Sequence, residues 1–250
     1  MESIRNRRTI RKYKSQDISA DLLNGLIEEA SRASTMGNMQ LYSVIVTRSE
    51  EMKSKLAPMH FNQPMVTTAP VVLTFCADFN RFSLWCRQRK AEPGYNNFLS
   101  FINALSDALL FTQNFCTLAE DAGLGICYLG TTIYNPEPII DLLNLPELVV
   151  PVATITVGYP DECPSQPDRL PLNGIIHEET YRQYTPDDID NIYSYKESLP
   201  ENLNFISINN KETLAQIFTD IRYKKSDNEF MSSGLIRVLQ KQGFWGKITE

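Results

Sequence analysis

Side chains that commonly carry catalysis are scarce in this 250-residue sequence. There are two histidines, His60 and His177, and two tryptophans, Trp85 and Trp245. No HExxH, GxSxG or P-loop pattern occurs, so metal-hydrolase, serine-hydrolase and P-loop nucleotide chemistries have no motif to rest on. The five cysteines (Cys76, Cys86, Cys116, Cys127 and Cys163) are odd in number and form no CxxC pair. That argues against a disulfide framework and a zinc site, and it suits a reducing compartment. No run of about 18 apolar residues is present, so no membrane-spanning helix is expected. No apolar segment follows the basic N-terminal stretch, so no secretory signal is expected either. A cytoplasmic protein is the resulting expectation.

Positive charge is also sparse, except in one place. The formal net charge is −6. The stretch Arg5 to Lys14, RNRRTIRKYK, holds six Lys or Arg and no acid, so the remainder sums to −6 − 6 = −12. An acidic chain with a single basic cluster is a poor candidate for nucleic acid, whose binders carry a broad basic face. It is a better candidate for a small anion. Arg7 and Arg11 fall on one side whether the run is helical or extended, and guanidinium forks suit phosphate. On charge alone a solvated basic end is the favoured reading of the run.

Composition is that of a globular protein, 42% hydrophobic and 22% charged. Leu22, Leu23, Leu26, Ile27 and Ala30 keep a helical spacing behind Ser19, a predicted N-cap. YSVIVT (42–47), PVVLTFCAD with Val71–Cys76 apolar throughout, and VATITVG (152–158) read as strands. NNFLSFINALSDALLFTQNFCTLAEDAGLG reads as a long buried helix stopped at Gly123. GICYLG follows as a short strand or turn, and Asn135 with Pro136 opens another helix. Pro160, Pro164, Pro167 and Pro171 punctuate a loop. Beyond it the chain is more polar, with helical patterns over 212–225 and 231–242. The mixed order predicts an α+β fold, one domain with a C-terminal arm.

Two segments besides the basic run could hold a ligand. STMGNMQLYS, between a helix and a strand, offers hydroxyls and the amides of Asn38 and Gln40, which suit a heterocycle presenting alternating N–H and C=O edges. Taken alone, the segment is better read as an ordinary polar loop. GLGICYLG has three glycines but follows a helix, which excludes a Rossmann fingerprint. Glycine there still permits close approach of a flat ligand, or simply caps a helix. His177, beside Glu178 and Glu179, reads as a surface residue. Recognition groups thus outnumber reactive ones, a balance that suits a protein whose chemistry belongs to a bound cofactor.

These segments together resemble the FMN-dependent nitroreductase family, and within it the oxygen-insensitive NADPH nitroreductase and flavin reductase branch. Five stretches carry the resemblance in register: Arg7-Arg8-Thr9-Ile10-Arg11-Lys12-Tyr13, STMGNMQLYSVIV, Gln63 followed by FCADFNR, GLGICYLG, and VGYPDECPSQPDRLP. The resemblance implies a three-layer fold with a central mixed or antiparallel sheet flanked by helices. It implies an FMN-binding domain over 1–184 and an extension over 185–250 that wraps the partner of a homodimer and borders the active site. Arg7, Arg8, Thr9 and Arg11 would hold the FMN phosphate and ribityl chain, with Arg169 as a second cationic contact. Thr35, Asn38 and Gln40 would lie near the flavin and Gln63 at its polar edge. Tyr128, Leu129, Gly130 and Thr131 would lie along the isoalloxazine. The activity implied is ping-pong NAD(P)H oxidation, reducing nitroaromatics, quinones or flavins through bound FMN, with no catalytic side chain and no metal. A flavin carrier or sensor with little turnover is the alternative. Thr9 stands where the family usually has serine and Pro167 where it often has lysine. The arginines expected to meet the NADPH 2′-phosphate have no match, so NADPH and NADH both stand as reductants.

Overall fold

The computed structural model describes residues 2–245, so the last five residues of the expected arm lie outside it. The described chain divides into two compact units, one made of the residues up to Ser165 and those from Met231 on, the other of Gln166–Phe230.

The first unit is built on a four-stranded sheet in the order β1-β2-β4-β3, with β1 at Tyr42–Thr47, β2 at Val71–Asp78, β3 at Gly125–Leu129 and β4 at Val149–Gly158. Every pairing is antiparallel, which settles the expected mixed-or-antiparallel alternative. The inner strands β2 and β4 are buried along their whole length. Strand β4 begins three residues before the expected Val152, because Pro151 sits at a bulge. Phe75 pairs with Ala153 and Cys76 with Pro151, so Val152 is the extra residue. A bulge is where an inner strand tolerates proline. It also switches which β4 residues face the main core, from Val150 and Val152 to Ala153, Ile155 and Val157.

One face of the sheet packs on the long helix Phe98–Asp121 and on helix Ala20–Ala30, through Leu73, Phe75, Phe111, Phe115 and Leu26 among others. The other face uses Val72, Cys127 and Leu129 against Leu56, Val66 and Ile139 from helices Glu50–Leu56, Met65–Thr68 and Pro136–Leu143. Ser19 caps its helix as expected, its Oγ accepting from the Leu22 amide at 3.2 Å. Asn97 starts the long helix by accepting from the Ser100 amide at 3.0 Å, and Gly123 (φ +82°) stops it. The long helix is not buried all round, contrary to expectation. Phe98, Leu99, Ile102, Leu109 and Leu110 form an exposed apolar stripe on its outer side.

The unit Gln166–Phe230 contains helices Pro186–Ser198 and Pro200–Ile208, neither expected from the sequence. The helical pattern over 212–225 resolves into a short α-turn, Leu214–Gln216, and a π-helical stretch, Ile217–Arg222. Helix Lys225–Lys241 begins six residues earlier than the pattern over 231–242. Ile192, Leu214 and Ile217 are the buried apolar residues in this unit.

Candidate active site

The basic run is laid against the sheet as an added extended segment. The Ile10 amide donates to the Ile126 carbonyl at 3.0 Å and the Lys14 amide to the Tyr159 carbonyl at 2.9 Å. Tyr13 bridges to Pro160, and its hydroxyl meets the Thr156 hydroxyl at 2.7 Å. Two glycines make this approach possible. A Cβ on Gly125 would stand 2.7 Å from the Ile10 Cβ, and one on Gly158 would stand 2.8 Å from the Tyr13 ring.

The arginines of the run separate into two sets. Arg7 pairs with Glu120 at 3.4 Å; burial raises the Glu120 pKa and Arg7 opposes the rise. Arg8 donates to the Cys163 sulfur at 2.9 Å and to the Pro164 carbonyl at 3.1 Å. These two line a cavity of about 300 Å³ that also contains the carboxylates of Glu120 and Glu162. Glu162 further accepts from the backbone amides of Arg11 (2.5 Å) and Lys12 (3.0 Å). Thr9 and Arg11 do not line that cavity. They share the alternate side of the extended run. Among the described residues the Thr9 hydroxyl has no protein partner. The Arg11 side chain is exposed and reaches the buried Cys127 thiol, whose pKa burial raises and Arg11 moderates.

The loop expected to offer amides is held from beneath. Gly37, Asn38 and Gln40 all adopt left-handed backbone, at φ 54°, 57° and 54°. Non-glycine residues sit there at a cost, met when surrounding contacts over-determine the turn. Asp107, 2% exposed on the long helix, supplies the main contact. Its carboxylate accepts from the Met36 amide at 2.8 Å and the Leu41 amide at 3.1 Å, closing the loop at both ends. Arg81 adds bonds to the carbonyls of Gln40 and, at 3.1 Å, Tyr42. Asn38 and Gln40 are left exposed, their side chains 3.3 Å apart. Thr35, half-buried, immediately precedes the turn in extended conformation.

Gln63 and the segment Tyr128–Thr131 are joined through a residue the sequence reading passed over. His60 is 0% exposed, and its Nδ1 lies 2.8 Å from the Thr131 hydroxyl. Its Nε2 is buried with no partner, and burial lowers its pKa to about 4. The Gln63 amide donates to the His60 carbonyl at 3.2 Å, while the Gln63 side chain has no partner among the described residues. Thr132 fixes the same segment by donating to the Leu129 carbonyl and bonding the Thr154 hydroxyl, both at 3.0 Å. Leu129 points into the core, whereas Tyr128 is partly exposed with its pKa raised to about 12 by burial of its ring. Gly130 is exposed, and a Cβ there would meet nothing within 4 Å.

Arg169 belongs to the other unit. There its guanidinium donates to the neighbouring Asp168 carbonyl at 2.8 Å, and the Asp168 carboxylate pairs with Lys196 at 2.9 Å. His177 in that unit is half-buried, stacked 4.2 Å from the Tyr181 ring and bonded to the Tyr184 hydroxyl at 3.0 Å.

Residues 4–159, more than half of the chain, match the family model described as the Nitroreductase family. The chain belongs to the nitroreductase family. It is 34% identical to a Cr(VI) reductase of a Pseudomonas species over 80% of this chain and 78% of that protein. It is 30% identical to an FMN reductase [NAD(P)H] of Bacillus subtilis over 98% and 97%. A solved structure of a proposed oxidoreductase from Bacteroides fragilis superimposes with a TM-score of 0.97 at 65% identity, covering 98% of this chain and all of that one.

The matched span contains every sequence-predicted site residue except Arg169. It also contains Asp107 and His60, which sequence reasoning missed, as it did Glu162 just beyond the span. Asp107 carried one available signal, an acid on the apolar side of a helix that otherwise buries that face. Among the described residues no cluster could hold a metal ion and no helix is long and apolar enough to cross a membrane.

Proposed function

We propose that the protein is an FMN-dependent NAD(P)H oxidoreductase that reduces small electron-poor acceptors such as nitroaromatics, quinones or flavins. The observation that carries this reading is a set of recognition groups in the first unit: the Thr9 hydroxyl and the Gln63 side-chain amide, which have no partner among the described residues, and the exposed Arg11 guanidinium, which meets the weak acceptor of the Cys127 thiol. Their chemistry fits the group: a hydroxyl and a guanidinium for the FMN phosphate, and an amide with donor and acceptor for a flavin edge. The open backbone at Gly130 fits a flat ring system, since no Cβ stands between the peptide and its surroundings. FMN held there would supply two-electron redox chemistry between NAD(P)H and the acceptor.

The chain's own residues then bind and orient. Thr9 and Arg11 hold the phosphate. Arg7 and Arg8 brace the run through Glu120 and Cys163 and stand as secondary phosphate contacts, with Arg169 a further cation. Thr35, Asn38 and Gln40 border the ring system on the Asp107-held loop. Tyr128 to Thr131 flank it, with Thr131 oriented by neutral His60. No side chain is assigned as acid, base or nucleophile.

A homodimer is part of the reading. The stripe Phe98, Leu99, Ile102, Leu109 and Leu110 on one helix is the kind of exposed apolar face a second copy covers. The functional division proposed is 1–184 for cofactor binding and 185–250 for the dimer and the site's rim. This counts Arg169 with the first part, although it folds in the second compact unit. The unpaired cysteines support a cytoplasmic setting as part of the same reading. The experiment is a visible spectrum of the purified protein followed by anaerobic titration with NADPH and NADH. Yellow protein bleached by either nucleotide is expected; colourless protein, or yellow protein bleached by neither, would refute the proposal.

A further inference from the structure

The turn between His60 and Gln63 contains an aromatic residue whose position packing does not explain. Phe61 adopts φ 56° and ψ 34°, and Asn62 follows at φ 54°. The turn ends the Ala57–His60 helix, with the Phe61 amide donating to Pro58 at 3.1 Å and the Asn62 amide to Ala57 at 2.8 Å. Glycine or asparagine is the usual occupant of such a left-handed cap, and a bulky side chain is strained there. Phe61 is 56% exposed and its ring touches no other aromatic ring among the described residues. The residue therefore adds strain to the backbone and contributes little to the core. The same turn is tied to the Gly130–Thr131 segment by the 2.8 Å contact between His60 and Thr131, and it carries Gln63.

We propose that Phe61 is an acceptor-recognition residue: its exposed ring stands at the rim of the site and favours planar aromatic acceptors by stacking. The proposal rests on the FMN oxidoreductase reading above. Aromatic pairs gain most in offset or edge contacts, so one ring shifts preference moderately without adding any reactive group. Inorganic one-electron acceptors such as ferricyanide have no face to stack and bypass it. The backbone strain and the exposure are then two parts of one arrangement, a ring held outward at a position where packing would choose a smaller residue.

The test is a set of holoenzyme variants assayed with a naphthoquinone and with ferricyanide at saturating NAD(P)H. Phe61→Asn accepts the left-handed backbone. It is expected to lower the quinone-over-ferricyanide ratio of kcat/KM about 3- to 10-fold through KM for the quinone, with a thermal midpoint equal to or above that of the parent. Phe61→Leu should lose the same preference and Phe61→Tyr should keep it. Yellow, reducible protein with an unchanged ratio in Phe61→Asn would overturn this proposal alone. Equal losses with both acceptors together with dissociation to monomers would assign Phe61 to the subunit contact and also overturn it. Colourless parent protein would instead overturn the FMN reading.

Discussion

Replacing His60 by glutamine should change how stability depends on pH more than it changes stability at neutral pH. His60 is fully buried, and burial lowers its pKa from 6.5 to about 4. The folded state therefore resists protonation that the unfolded chain accepts from about pH 6.5 downward. The unfolded state binds more protons in that window, so stability rises with pH there and falls as the solution is acidified. The contribution is fully present above about pH 6.5 and is lost as pH drops through about 4. At 1.36 kcal/mol for each pKa unit, a depression of about 2.5 units corresponds to roughly 3 kcal/mol. His60→Gln removes the titration while leaving an amide able to meet the Thr131 hydroxyl. Urea unfolding of both proteins at fixed FMN, from pH 7.5 to 4.5, gives the difference in unfolding free energy at each pH. The carboxylates common to both proteins cancel in that difference. The advantage of the parent should shrink on acidification by roughly 2–3 kcal/mol, most of the total. With only two histidines in the chain, the imidazole signals can also be followed by NMR. A stability difference flat to within a few tenths of a kcal/mol, or a His60 signal titrating near pH 6.5, would refute the argument from burial.

Three further outcomes follow from the geometry. Arg11→Ala should weaken FMN retention by roughly 1.5–3 kcal/mol, the worth of one charge-assisted bond, measured by fluorescence titration of the apoprotein; unchanged affinity would remove Arg11 from the phosphate site. Asp107→Ala leaves the Met36 and Leu41 amides without their acceptor and should cost about 2–4 kcal/mol. Limited proteolysis should then cut within residues 35–41, and a cut elsewhere with that loop intact would contradict the clamp. Gly125→Ala forces a Cβ against Ile10 and should cost about 1–3 kcal/mol by overpacking, read as a lower thermal midpoint and weaker FMN binding. Gly130→Ala, where a Cβ has open space in the protein, serves as its comparison and should leave the apoprotein's midpoint unchanged.

What could be read from the sequence was what local periodicity encodes. The apolar run of β2, the repeat of the long helix and its stop at Gly123, and the Ser19 cap all depend on residues within a few positions of one another. Strand β4 was read short because the bulge at Pro151 breaks alternation at its entrance. The helix Pro186–Ser198 was missed although Thr185 and Asp188 form a capping box; its polar composition hid the short apolar stripe. The site was legible as segments but not as a division of labour. That Arg7 and Arg8 are engaged by Glu120 and Cys163, while Thr9 has no partner among the described residues, depends on contacts spanning more than a hundred residues. Asp107 acts on amides 71 and 66 positions away. No window of sequence contains both ends of such a bond.

The way the basic run reaches the sheet has a consequence for biogenesis. Lys12, Lys14 and the amide of Arg11 find their partners at Asp161, Tyr159 and Glu162, so this early segment is locked by the last residues of the family-matched span and those just beyond it. During translation the basic run therefore lacks these partners until the chain past Glu162 has emerged. Closure over so long a loop belongs to the slow, late part of folding. The basic run therefore reaches its final place only after more than half of the sequence has been translated.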